Sequence, residues 1–207
     1  MSRRIGISQL ASHVLLAAYS HGYFPMAESR TGPIGWYSPD PRAIIPLDQF
    51  HISRSLRQVL AKGKFVTTVN CVFGEVIRAC AERSETWISG EIIEAYTELH
   101  RLGHAHSLET WTSGVLSGGL YGVSMGGAFF GESMFSREPN ASKVALATLV
   151  RRLQNRGYIL LDAQFMTEHL RQFGTVEISR KEYLEMLQKA LRVRVEFCES
   201  EASDGGM

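Results

Sequence analysis

"AFFGESMFSREPNASKVALATLVRRLQNRGYILLDAQF", Ala128 to Phe165, is the stretch on which the fold turns. "AFFGESMFS" reads as a strand, "NASKVALATLVRRLQNRG" as an amphipathic helix closed by Gly157, and "YILLDAQF" as a second strand. Strand, helix and strand in this order predict a right-handed crossover between two nearby parallel strands. The C-terminal ends of both strands and the N-terminus of the helix then share one edge of the sheet. One residue is out of place in this pattern: Glu132 is a lone carboxylate in a strand that otherwise looks like core.

Period-two alternation sends Leu160, Asp162 and Gln164 to one face of the second strand. In the first, Ala128, Phe130, Glu132 and Met134 share a face unless a bulge at Gly131 shifts the register. Glu132 is therefore expected to face Asp162 and Gln164. Such a cluster can hold a reactive amine and tune its proton transfer. The plainer alternative is that Asp162 caps the next turn and Glu132 pairs with an arginine.

Upstream, "AHSLETWT" and "GVLSGGLYGVSM" read as strands joined to "AFFGESMFS" by "SG" and "GG" turns, which predicts an antiparallel meander. Before it, "KFVTTVN" alternates like a strand, and "FGEVIRACAER" and "GEIIEAYTELHRLG" carry helical patterns. "SRSLRQVLAKG" is a helix with Ser53 as N-cap, and "ISQLASHVLLAAYSHG" a first helix capped by Ser8 and stopped at Gly22. "FPMAESRTGPIGWYSPDPR" holds four of the six prolines and no long regular element. Downstream lie a short helix in "MTEHLRQFG" and a last helix in "SRKEYLEMLQKALR". This predicts a small N-terminal unit over residues 1–35, a main domain over 36–198 and a disordered polar tail over 199–207. The fold class is mixed α/β (α+β), and its meander and crossover resemble the acetyltransferase-like (GNAT/Fem-like) fold.

The 207 residues are 44% hydrophobic and 21% charged, with net charge +1, so nucleic acid must meet a local patch rather than a basic domain. No apolar run suits a signal peptide or a membrane span. Three cysteines without C-x-x-C spacing fit reduced thiols in a cytosolic protein, with Cys71 and Cys80 expected in the core. "HAHSLE" places His104 and His106 on one strand face and Glu109 on the other, which argues against a shared metal. No phosphate-binding loop, dinucleotide fingerprint, zinc-protease motif or nucleophile elbow is present. "SREPNASK" supplies Asn140 or Ser142 as a helix cap, with Arg137 and Lys143 beside a positive helix end. Arg54, Arg57, Lys62 and Lys64 form one basic cluster, and Arg151, Arg152 and Arg156 another. Among the aromatic residues near loops, Trp87 is singled out by its polar surroundings in "SETWISG".

The segments "GYFPM", "SPDPRAIIPL", "FHISRSLRQ", "ETWI", "AYTELHRLGHAHSLETW", "GGLYGV", "FFGESMFSREPNASKVAL" and "LLDAQFMTEHLRQFG" resemble the leucyl/phenylalanyl-tRNA–protein transferases. The resemblance runs from about Ile7 to Leu191. It implies an enzyme that moves leucine or phenylalanine from aminoacyl-tRNA to the α-amine of proteins beginning with Arg or Lys, marking them for degradation. It implies no metal or acyl-CoA cofactor, no membrane, a cytoplasmic location and a monomer. By the same resemblance Asp162 and Gln164 orient and deprotonate the amine, and Glu132 lies beside the aminoacyl group or the cationic acceptor. Met26, Trp87, Leu120, Phe129 and Leu149 form the apolar pocket, with Met26 standing where some relatives have tryptophan and Leu149 where they have an aromatic. Arg54, Arg57, Lys62, Lys64, Arg137, Lys143, Arg151 and Arg152 are the candidate tRNA contacts. The alternative on the same fold is an acyl-CoA-dependent N-acetyltransferase, against which Asn140 stands where that motif needs glycine.

Overall fold

The structure, a computed structural model, describes residues 10–198; the expected Ser8 cap and the 199–207 tail lie outside them. The crossover forms as expected. Strand β7 (Ala128–Ser136), helix α5 (Ala141–Arg156) and strand β8 (Leu160–Gln164) place Ala128, Phe129 and Phe130 parallel to Leu160, Leu161 and Asp162. The meander β5 (Ala105–Thr112), β6 (Val115–Met125) and β7 is antiparallel throughout. These strands belong to a seven-stranded mixed sheet of order β4-β5-β6-β7-β8-β3-β9. Its edges are β4 (Val66–Val69) and β9 (Val176–Ile178), and β3 (Arg42–Ile44) lies antiparallel between β8 and β9.

Alternation along the strands divides the core in two. Leu108, Leu120, Phe129 and Leu161 pack with Leu146, Leu149 and Leu153 of α5 on one face. Tyr121, Val123, Phe130 and Leu160 pack on the other. That second face is covered by α1 (Ser12–Ser20), α3 (Phe73–Ala81), α4 (Gly90–Arg101) and α7 (Arg180–Ala190). The proline-rich stretch folds as a two-stranded hairpin, β1 (Phe24–Ala27) with β2 (Ile34–Tyr37). Its Phe24, with Leu15 and Tyr19 of α1, enters the same core as α3 and α4. Helix α2 (Arg54–Ala61) starts as expected, its Leu56 N–H donating to the Ser53 hydroxyl at 3.2 Å.

Two local readings are corrected, and the register of β7, open in the sequence, is decided. Neither Asn140 nor Ser142 caps α5: Asn140 adopts a left-handed φ of 73° without a side-chain cap bond. Ser136 takes that part instead, its hydroxyl accepting the Ser142 N–H at 3.2 Å. A bulge in β7 pairs Tyr121 with Ser133 and Gly122 with Gly131, leaving Glu132 as the extra residue. Glu132 thus keeps the face of Phe130, but Met134 slips to the α5 face. Cys71 is exposed, because it lies in the turn before α3 rather than on the helix; Cys80 is buried as expected.

The bulge depends on close backbone approach at Gly122, where a Cβ would stand 2.3 Å from the Phe130 carbonyl oxygen and 2.4 Å from the Phe129 ring. Backbone cannot move aside as a side chain can. Gly122→Ala is expected to destabilise the fold by about 3 kcal/mol, roughly 6–12 °C in Tm for a chain of this size, in a thermal melt.

Candidate active site

Strands β7 and β8 pair only as far as Phe130 and Asp162 and then part. A cavity of about 770 Å³ opens in the fork and reaches both core faces. Glu132 follows the parting on one side, and Asp162, Ala163 and Gln164 line the other. The two strand ends share one edge because the crossover returns the chain parallel.

The two carboxylates have different surroundings. Asp162 is fully buried. Its Oδ1 accepts from Arg42 Nε at 2.9 Å and from the Gln164 backbone N–H at 2.8 Å. Its Oδ2 accepts from Arg42 Nη2 at 2.6 Å and from the Tyr183 hydroxyl at 2.7 Å. A carboxylate has about four acceptor positions, and all are taken. The alternative reading therefore had the arginine on the wrong carboxylate: it belongs to Asp162. Gln164 has φ 65°, an uncommon left-handed conformation for a non-glycine residue, and the Asp162 bond to its N–H holds it there.

Glu132 keeps 8% of its surface. Its Oε1 accepts from the Tyr19 hydroxyl at 2.7 Å and from Gln164 Nε2 at 2.9 Å, and its Oε2 lies 3.3 Å from the Tyr96 hydroxyl. The Tyr19 and Tyr96 hydroxyls also touch one another. Each phenol has one proton, so Tyr19 donates to Glu132 while the Tyr96 proton is shared between the Tyr19 oxygen and Oε2. One acceptor position on Oε2 stays open among the described residues. Burial raises Glu132 to about 8; the Tyr19 hydrogen bond opposes the rise and the Asp162 charge adds to it. Burial and then Glu132 push Tyr19 and Tyr96 well above their ordinary range, so both stay protonated donors.

Met26, Trp87, Leu120 and Leu149 line the cavity; Phe129 does not, since the alternation of β7 turns it under α5, where it stacks on Phe197 at 5.2 Å. The basic candidates divide. Arg54, Arg57, Lys62 and Arg151 are exposed. Lys64 pairs with Glu138, Arg137 with Glu82, Lys143 with the Gln172 side-chain amide oxygen, and Arg152 with the Phe197 backbone and ring. No His, Cys, Asp or Glu group among the described residues could hold a metal; Glu109 accepts instead from Thr68 and Ser107, both at 2.6 Å. No helix among them is long and apolar enough to cross a membrane. Sequence reasoning missed Arg42, Tyr183, Tyr19 and Tyr96 as parts of the site. The Arg in "SPDPR" and the Tyr in "AYTELH" stood inside quoted motifs, but no local pattern tied them to residues up to 120 positions away.

The family described as leucyl/phenylalanyl-tRNA protein transferase matches residues 44–188, and its N-terminal domain matches residues 8–40. A leucyl/phenylalanyl-tRNA–protein transferase from Chlorobaculum tepidum is 54% identical over 187 residues, covering 88% of this chain and 96% of that protein. One from Gloeobacter violaceus is 53% identical, covering 91% and 97%. Among solved structures, L-PGS from Bacillus licheniformis is similar at 13% identity and a TM-score of 0.45, covering 85% of this chain and 62% of its own. That score is too low to carry a comparison of folds. From the match over residues 44–188 and the identity shared with near-full-length relatives, the chain belongs to the leucyl/phenylalanyl-tRNA protein transferase family.

Proposed function

We propose that this chain transfers leucine or phenylalanine, with methionine as a further candidate, from aminoacyl-tRNA to the α-amine of proteins beginning with Arg or Lys. The product then carries an N-terminus that marks it for degradation, and the enzyme works in the cytoplasm as a monomer. One observation carries the chemical part of this reading: Glu132, raised to about 8 and with an acceptor position open, sits in the fork beside apolar walls.

The reaction is aminolysis of an ester. The α-ammonium must lose a proton before nitrogen attacks the carbonyl carbon. Expulsion of the ribose oxygen, which takes up a proton, then leaves an amide and free tRNA. A free α-amine titrates at about 7.7–8.0. Proton transfer from it to a carboxyl group near 8 is close to balanced, the condition under which general-base catalysis works best. Glu132 is accordingly the base in this reading. Asp162, sealed and saturated, does not take the proton; it positions Gln164, whose amide in turn fixes Glu132. Met26, Trp87, Leu120 and Leu149 take the Leu or Phe side chain. The unbranched, deformable Met26 permits either, since one methylene is worth only about 1–3 kcal/mol of discrimination.

The exposed Arg54 and Arg57 on α2 are the better phosphate contacts, because the partners of Lys64, Arg137, Lys143 and Arg152 lie within the chain. Arg54→Ala with Arg57→Ala is expected to weaken tRNA binding. It should also flatten the slope of log affinity against log salt by roughly 1.5, measured by filter binding. An unchanged slope would remove α2 from the interface.

The reading is tested by incubating the protein with labelled Leu-, Phe- and Met-tRNA and peptides beginning Arg, Lys, Asp or Glu. Label is expected on the Arg and Lys peptides. No label on either would overturn the proposal, and label on the Asp and Glu peptides alone would overturn its acceptor assignment.

A further inference from the structure

Tyr121 is fully buried in the middle of β6, yet it lines the cavity, and its hydroxyl has no hydrogen-bond partner among the described residues. It stands directly across from the bulge, its Cα paired with Ser133 next to Glu132. Its ring is held edge-on against Tyr96 at 5.7 Å and Phe73 at 5.9 Å, so the phenol cannot swing to another partner without disturbing both contacts. A buried hydroxyl without a partner is unfavourable and uncommon in a folded protein, and where it borders a cavity it marks a place for a ligand atom.

The chemistry of the substrates identifies that atom. On the proposed function, on which this inference rests, the incoming amine offers N–H donors, and Glu132 receives them. The ester carbonyl oxygen of the aminoacyl group is an acceptor only. It gains negative charge as nitrogen attacks, because the C–N bond forms while the carbonyl π pair moves onto oxygen. Three other donors around the cavity already have acceptors: Gln164 Nε2 bonds Glu132, Arg83 bonds the Met134 carbonyl, and Arg137 pairs with Glu82. We infer that the Tyr121 hydroxyl donates to the ester carbonyl oxygen and strengthens that bond as the tetrahedral intermediate forms, which makes Tyr121 a catalytic residue of the transfer. Burial, and then the Glu132 charge, push the phenol well above its ordinary range, so it keeps its proton and remains a donor at neutral pH. When the intermediate collapses, the π pair returns, the ribose oxygen leaves and Tyr121 still holds its proton.

The test is Tyr121→Phe in the full chain, assayed with Phe-tRNA and an Arg peptide alongside the wild type, with a thermal melt of each. The variant is expected to lose about tenfold to a hundredfold in kcat, with KM for Phe-tRNA within about twofold. Its Tm should stay equal or rise, because the change removes a buried polar group that nothing satisfies. Wild-type kcat in an active assay would overturn the Tyr121 assignment alone, and so would a loss confined to KM. A lower Tm would also overturn it, by showing that the hydroxyl has a structural partner. A wild-type protein that transfers nothing would instead bring down the proposed function, and this assignment with it.

Discussion

Glu132→Gln is expected to lower single-turnover transfer by about 10²–10⁴-fold, the range that general acid–base groups contribute. Glutamine keeps the shape, and its carbonyl oxygen still accepts from Tyr19, so the cavity is preserved while the proton acceptor is lost. Two pH effects separate this from a structural defect. In the wild type the rate should rise with pH toward about 8 as Glu132 ionises, and its advantage over the variant should hold up to that pH and narrow above it, where the substrate amine is already neutral. Stability should move the other way. The native state holds the Glu132 proton up to about 8, whereas the unfolded chain releases it near 4.5, so native protein binds more protons between those values. Wild-type stability is therefore present in full below about 4.5 and declines as pH rises through about 8. Glu132→Gln removes that slope and should be as stable as the wild type or more so at pH 8, in denaturant titrations at several pH values.

Arg42→Met is expected to destabilise the protein by about 3–5 kcal/mol, because it leaves the fully buried Asp162 charge without its partner. Arg42 is 1% exposed and makes two bonds to Asp162; it also donates to the Gly22 carbonyl at 3.1 Å and lies over the Phe24 and Tyr183 rings at 4.7 and 4.4 Å. It therefore ties the α1–β1 turn to β8 and α7. Replacing both partners, as Arg42→Met with Asp162→Leu, should restore much of the stability, since apolar groups of similar size can fill such a site. Transfer should not return, because Gln164 loses the carboxylate that holds its left-handed backbone. A single variant that costs under about 1 kcal/mol, or an active double variant, would contradict the positioning role of Asp162.

The parts of the fold legible in sequence are those set by local periodicity. The 16-residue α5 and the flanking β7 and β8 show their pattern within Ala128–Phe165, and the glycine turns of the meander are explicit. Strand β9 was not legible: its three residues, Val176–Ile178, are too few for their alternation to stand out, and all are half-exposed or exposed. The β7 bulge was open from sequence because Gly131 permits it without requiring it, and Met134 changed face as a result. In the site, alternation brought Glu132 to Gln164 correctly. It could not say that Asp162 belongs to Arg42 and Tyr183, or Glu132 to Tyr19 and Tyr96. Those pairings join residues 21 to 120 positions apart and exist only once the helices cover the sheet. The exchange matters, because an arginine makes one carboxylate a fixed support and two phenols leave the other able to take a proton.

On the proposed function Glu132, raised by burial and steadied by Gln164, accepts the amine proton. Single-turnover transfer from Leu-tRNA to an Arg peptide, followed from pH 6 to 9 in wild type and Glu132→Gln, tests it most directly. The wild-type rate is expected to climb toward about pH 8, with the variant at least about a hundredfold slower below that pH and the gap narrowing above it. A variant within about threefold of wild type at every pH would contradict it.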